Sequence, residues 1–134
     1  MKYIGSSLCM AVLLSACATN PVTGKKELSF VGEDWELAVG KEQYSPGRQS
    51  QGGDYNADPR IEAYVNSIGQ KLAAVSDRKL PYEFKVLNSS VPNAWALPGG
   101  KIAINRGLLL EMQTEAELAA VLGHEIVHLS LIHI

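Results

Sequence analysis

The sequence predicts an α+β fold, with helices packed on a small, mostly antiparallel sheet. Two sets of observations carry this. Residues 59–75 have the apolar spacing of an amphipathic helix, and residues 115–128 read as a second helix that is apolar on every side over 118–123. Between them, residues 82–86 alternate apolar and polar, and two further extended pieces flank Pro98-Gly99-Gly100. Helical and strand periods thus occupy separate stretches, as an α+β domain requires.

The chain has 134 residues, a length that suits one domain, and a net charge of −2 with no basic stripe. That balance gives no support to nucleic-acid binding. Lys2 precedes an apolar run over 4–14 that is interrupted by Gly5, Ser6 and Ser7. A spanning helix needs about 20 apolar residues, so residues 1–16 read as a secretory signal peptide. The run ends in Leu14-Ser15-Ala16-Cys17, which resembles the lipobox of bacterial lipoproteins. That resemblance implies lipidation of Cys17, hence membrane attachment. Ala18 stands where an aspartate would resemble an inner-membrane retention signal, so the periplasmic side of the outer membrane is expected if the source is a diderm bacterium. Cys9 leaves with the signal peptide and Cys17 carries lipid, so no disulfide is expected in the mature domain.

Residues 17–56 are expected to hold a polar tether over 18–26, a helix over 33–44 ended by Pro46-Gly47, and an exposed connection over 45–56. The domain proper is assigned to 57–134. Asp58 and Pro59 open its first helix as N-cap and first helical residue. Ile61, Tyr64, Val65, Ile68, Leu72 and Val75 form the stripe expected to face the core. Tyr82, Phe84 and Val86 alternate with Glu83 and Lys85 in a half-buried strand. Residues 94–97 and 101–105 are expected to form a hairpin, with the glycines taking positive φ. Residues 108–112 form a short helical piece, and Thr114 with Glu117 makes a capping box for the last helix.

That last helix carries His124-Glu125-Ile126-Val127-His128. Four residues turn through about 400°, so the two histidines share a face and can bind one metal ion. This H-E-x-x-H spacing points to one Zn²⁺ held by His124 and His128, with Glu125 as general base on a zinc-activated water. Two imidazoles and a carboxylate in so apolar a helix carry a desolvation cost unless something pairs with them.

Three separated blocks carry a wider likeness: residues 93–100 (NAWALPGG), 107–109 (GLL) and 115–128 (EAELAAVLGHEIVH). Together they resemble the CAAX prenyl protease-like family of zinc metallopeptidases, the gluzincins. Asn20-Pro21-Val22-Thr23-Gly24 is similar to the bacterial periplasmic lipoprotein branch of that family. The resemblance implies a metalloendopeptidase with His124 and His128 as ligands, Glu125 as base and a glutamate from a later helix as third ligand. It also implies extended polypeptide substrates added along an edge strand. The edge is assigned to Ala94, Trp95, Ala96 and Leu97, leading into Gly99 and Gly100.

The third ligand is not found in this sequence. His133 lies five residues beyond His128, about 140° around the helix, and Glu117 lies roughly 10 Å below His124 along the axis. The domain is therefore expected to be truncated after the active-site helix, leaving Leu118, Val121, Leu122 and Val127 partly facing water. Residues 129–134 match the translation of a transposon-end sequencing adapter. They read as an artefactual tail, which the source DNA would test. The expected function is hydrolysis of misfolded or unassembled envelope proteins, this fragment itself being inactive. The alternative is a non-catalytic, chaperone-like or scaffolding lipoprotein of the envelope.

Overall fold

The computed structural model describes residues 32–132, together with 17–19, 24 and 26–28. The signal-peptide assignment lies outside these residues, as do the last two positions of the adapter-like tail. Where the sequence predicts a tether, β1 (Cys17–Thr19) and β2 (Lys26–Leu28) pair antiparallel. Between them Gly24 has a φ of 68°, a left-handed turn conformation that costs glycine little.

Helix α1 (Glu33–Ser50) runs past the predicted stop and contains Pro46. Proline removes one intrahelical donor. Pro46 and Glu42 are both exposed, so water is at hand for the carbonyl that loses its donor. Beyond Pro46, Arg48 pairs with Asp54 at 2.6 Å. Gly47 lies so close to Trp95 that a Cβ there would come within 3.2 Å of the indole. Long-range packing thus overrides the local stop signal, and the exposed connection shrinks to the residues after Ser50.

Helix α2 (Pro59–Ala74) starts as predicted, with Asp58 accepting from the Arg60 N–H at 3.0 Å. Its predicted stripe is only partly inward. Val65 and Ile68 are buried, whereas Ile61, Tyr64 and Val75 are exposed. The contact is narrower because Gly69 sits directly on Phe84, where a Cβ would approach the ring to 2.6 Å.

The sheet contains β3 (Glu83–Leu87), β4 (Ala94–Leu97) and β5 (Lys101–Asn105) in the order β3-β5-β4. The predicted hairpin is present: β4 and β5 pair antiparallel, and Gly99 and Gly100 turn the chain at φ 81° and 85°. The pairing of β3 with β5 is parallel, so the sheet is mixed, one pair of each kind. The segment between β3 and β4 carries the chain past β5, and the hairpin then returns β5 to the centre.

Strand alternation splits the core into two faces. Phe84, Val86, Ile102 and Ile104 meet Val65 and Ile68 of α2 and Leu118, Leu122, Ile126 and Leu129 of the last helix, α4 (Glu115–Ser130). On the opposite face Tyr44 of α1 packs with Leu87 and Ala103, flanked by Trp95 and Leu97. The sheet therefore lies between α1 on one side and α2 with α4 on the other. The short α3 (Arg106–Glu111) links β5 to α4. Leu118 and Leu122 are buried by α2 and the sheet, contrary to expectation, and Val127 is exposed. No described helix is long and apolar enough to cross a membrane.

Candidate active site

The helix bearing the histidines is fixed at its start by the predicted capping box. Thr114 Oγ1 accepts from the Glu117 N–H at 3.2 Å, and the Glu117 carboxylate accepts from the Thr114 N–H at 3.3 Å. Glu117 is thereby occupied one end of the helix away from the histidines. Leu118, Leu122, Ile126 and Leu129 face the core, and this sets the rotation of α4. His124 and His128 are left exposed one turn apart.

Their rings stand edge to face, with centroids 4.4 Å apart and Nε2 atoms 2.8 Å apart. That distance is within hydrogen-bonding reach, the donor being set by the tautomers of the two rings. Two converging imidazoles also suit a zinc ion, and this donor set fits two of its three protein ligands. Among the described residues no group of three or more His, Cys, Asp or Glu side chains is placed to hold a metal.

Glu125 is buried and shares a cleft of about 490 Å³ with His124. Asn93, Ala94, Leu108 and Val121 line the same cleft. Its far wall is therefore the start of β4, the edge strand of the sheet. Two close approaches hold that wall. The Asn105 N–H donates to the Asn93 carbonyl at 2.9 Å, and the Asn105 side chain donates to the Val91 carbonyl at 3.0 Å. Gly107 lets α3 come against Ser90, whose carbonyl would lie 2.2 Å from any Cβ there.

The chain belongs to peptidase family M48. The family model matches residues 59–134, from the first residue of α2 onward. The chain is similar to the β-barrel assembly-enhancing protease of Yersinia pestis, 32% identical over 123 residues that span 91% of this chain and 25% of that protein. It is also similar to the mitochondrial metalloendopeptidase OMA1 of Schizosaccharomyces pombe, 32% identical over 111 residues, 81% of this chain and 33% of that protein. Metalloprotease YcaL of Escherichia coli is 30% identical over 80 residues, 55% of this chain and 31% of its own length. The chain thus spans no more than 33% of the length of these relatives. The family agrees with the resemblance carried by the three sequence blocks.

Within this M48 chain the predicted edge residues separate by direction. Ala94 and Ala96 pack toward the α4 face, and Trp95 and Leu97 toward the α1 face. Gly99 and Gly100 are buried, and their polar groups are engaged. The Gly99 N–H donates to Glu36 at 3.1 Å, and the Gly100 carbonyl accepts from the Glu83 N–H at 2.9 Å.

Sequence reasoning missed Asn93, Leu108 and Val121 as cleft residues, although each of the three family-like blocks contains one of them. It also missed Glu36 and Arg78, which form a buried ion pair at 2.7 Å. A charged residue in α1 and another after α2 carry no local signal that they meet.

Proposed function

We propose that this chain carries the zinc-binding and peptide-aligning part of a metalloendopeptidase. His124 and His128 hold the ion, and a glutamate from sequence beyond these residues completes the ligand set. The observation that carries the reading is the convergence of two Nε2 atoms, 2.8 Å apart, beside a buried glutamate in a cleft that opens onto an edge strand. When bound, the ion supplies Lewis-acid polarisation and acidifies water at its open position. Glu125 takes the proton of the attacking water and passes it to the leaving amine. Its burial limits its own rotamers and holds the carboxylate at the cleft.

An extended peptide adds to the free edge of β4, main chain to main chain. The backbone groups of residues 94–97 make the contacts, while Gly99 and Gly100 shape the turn that ends the strand. Lipidation of Cys17 ties the domain to the periplasmic side of the outer membrane, and the substrates are misfolded or unassembled envelope proteins.

Casein cleavage and zinc content, measured on the full-length protein and on this chain, test these statements. Glu125→Gln in the full-length protein is expected to lower kcat by at least about 100-fold while zinc stays bound, the scale of general acid–base catalysis. Cleavage at the unaltered rate would overturn the peptidase reading.

A further inference from the structure

Glu36 is fully buried and Arg78 is 5% exposed. The two make a bidentate pair, Nη1 to Oε1 at 3.0 Å and Nη2 to Oε2 at 2.7 Å. Each also binds a backbone group, one in the histidine-bearing helix and the other in the turn that follows the edge strand. Arg78 Nη1 donates to the Leu129 carbonyl at 2.7 Å, and Glu36 Oε1 accepts from the Gly99 N–H at 3.1 Å. Leu129 directly follows His128 in the last turn of α4. Gly99 lies in the turn that ends the edge strand β4.

We propose that the Glu36–Arg78 pair is the positioning clamp of the site, fixing the histidine-bearing end of α4 against the end of the peptide-binding edge. The proposal rests on the metallopeptidase reading of the cleft. The last carbonyls of a helix have no intrahelical donor, and the guanidinium satisfies the one at Leu129 with a charge of the sign that a helix C-terminus favours. The contact is to the main chain, so it does not depend on which side chain stands at 129. From the other side, α1 meets the hairpin turn with no room to spare. A Cβ on Gly40 would fall 1.9 Å from the Pro98 carbonyl oxygen, and one on Gly99 would fall 3.1 Å from the Leu37 Cα.

Stability alone is a weak reason for such a pair, because well-packed apolar residues often replace a buried ion pair without loss. An apolar pair, however, cannot accept from one of these segments and donate to the other at a set spacing. Lysine in place of Arg78 keeps the charge but lacks the planar fork that reaches Oε1, Oε2 and the carbonyl together.

The test uses full-length protein and three variants: Arg78→Lys, Glu36→Gln and the apolar double Glu36→Leu/Arg78→Met. Zinc affinity is measured by chelator competition, together with amide exchange at Gly99 and at position 131, and kcat and KM on a peptide. Variants that keep the native near-UV signal are expected to bind zinc about 10-fold to 100-fold more weakly, the range seen when groups supporting metal ligands are changed. The amide at position 131, which in this chain donates to the His128 and Val127 carbonyls at 3.2 Å, is expected to exchange faster in them. The double variant is expected to regain thermal stability without regaining zinc affinity, whereas a purely structural pair would regain both. Unaltered affinity and exchange in the folded variants would overturn the clamp.

A readout needing no variant covers the case in which none folds. In unaltered protein the amides of Gly99 and of position 131 are expected to open with one shared free energy. A freely fraying position 131 beside a protected Gly99 would overturn the proposal. Absence of zinc from unaltered protein would instead sink the function reading, and the exchange comparison would still decide the clamp.

Discussion

Asp58 shows how one side chain does two local jobs. Its carboxylate accepts the Arg60 N–H as N-cap of α2 and also pairs with the Arg60 guanidinium, at 2.9 and 2.8 Å. The guanidinium first, and the backbone donor second, hold this carboxyl below the usual carboxylate range. A group whose pKa is lowered on folding stabilises the fold above its unfolded value and loses that contribution as pH falls through the folded one. Asp58→Asn keeps the cap but does not titrate. Its curve of stability against pH is therefore expected to be flatter below about pH 4 and close to the parent's at neutral pH. Urea midpoints across the acid range check this. An unchanged acid limb would show that the Arg60 contact contributes nothing in solution. Tyr44 sits at the other extreme. Burial, then the nearby Glu83 charge, pushes its hydroxyl far above the ordinary tyrosine value. It therefore stays a neutral donor to the Ile102 carbonyl at 2.7 Å.

Among the elements, the joint between α2 and β3 has little slack. Gly69 presents bare backbone to the face of Phe84, and an added methyl would lie 2.6 to 2.7 Å from three of its ring carbons. Alanine raises helix propensity by about 1 kcal/mol, but overpacking a filled core costs about 1–3 kcal/mol. Gly69→Ala is therefore expected to destabilise the domain, with a lower thermal midpoint, although the residue lies in a helix. A raised midpoint would mean that α2 can lift from the sheet at no cost. The same logic explains α1. Its composition signals a stop at Pro46, yet the helix continues to Ser50, because Tyr44, Gly47 and Arg48 each have a partner outside it. Helix α4 was the easier element to read. Thr114 and Glu117 are three residues apart, so their mutual capping is a local matter.

Taken whole, the molecule separates what folds it from what its site does. The two apolar clusters join α1, α2, α4 and the sheet without either histidine, both of which stay exposed. Removing zinc from the full-length protein with a chelator is therefore expected to abolish hydrolysis while leaving the far- and near-UV signals of this region unchanged. Loss of the helical signal on chelation would show instead that the metal helps to fold the domain. The sequence by itself determined the spacing that brings His124 to His128, both helix caps and the Pro-Gly-Gly hairpin. Those depend on the 3.6-residue helical period, on hydrogen bonds between residues two or three apart and on the positive φ that glycine accepts. Only the tertiary structure decided that β5 lies between β3 and β4, that α1 covers the second face of the sheet, and that Glu36 meets Arg78. Each of these joins distant positions, 42 residues apart for the ion pair. A local period tells which way a side chain faces, but not which remote group it will meet there.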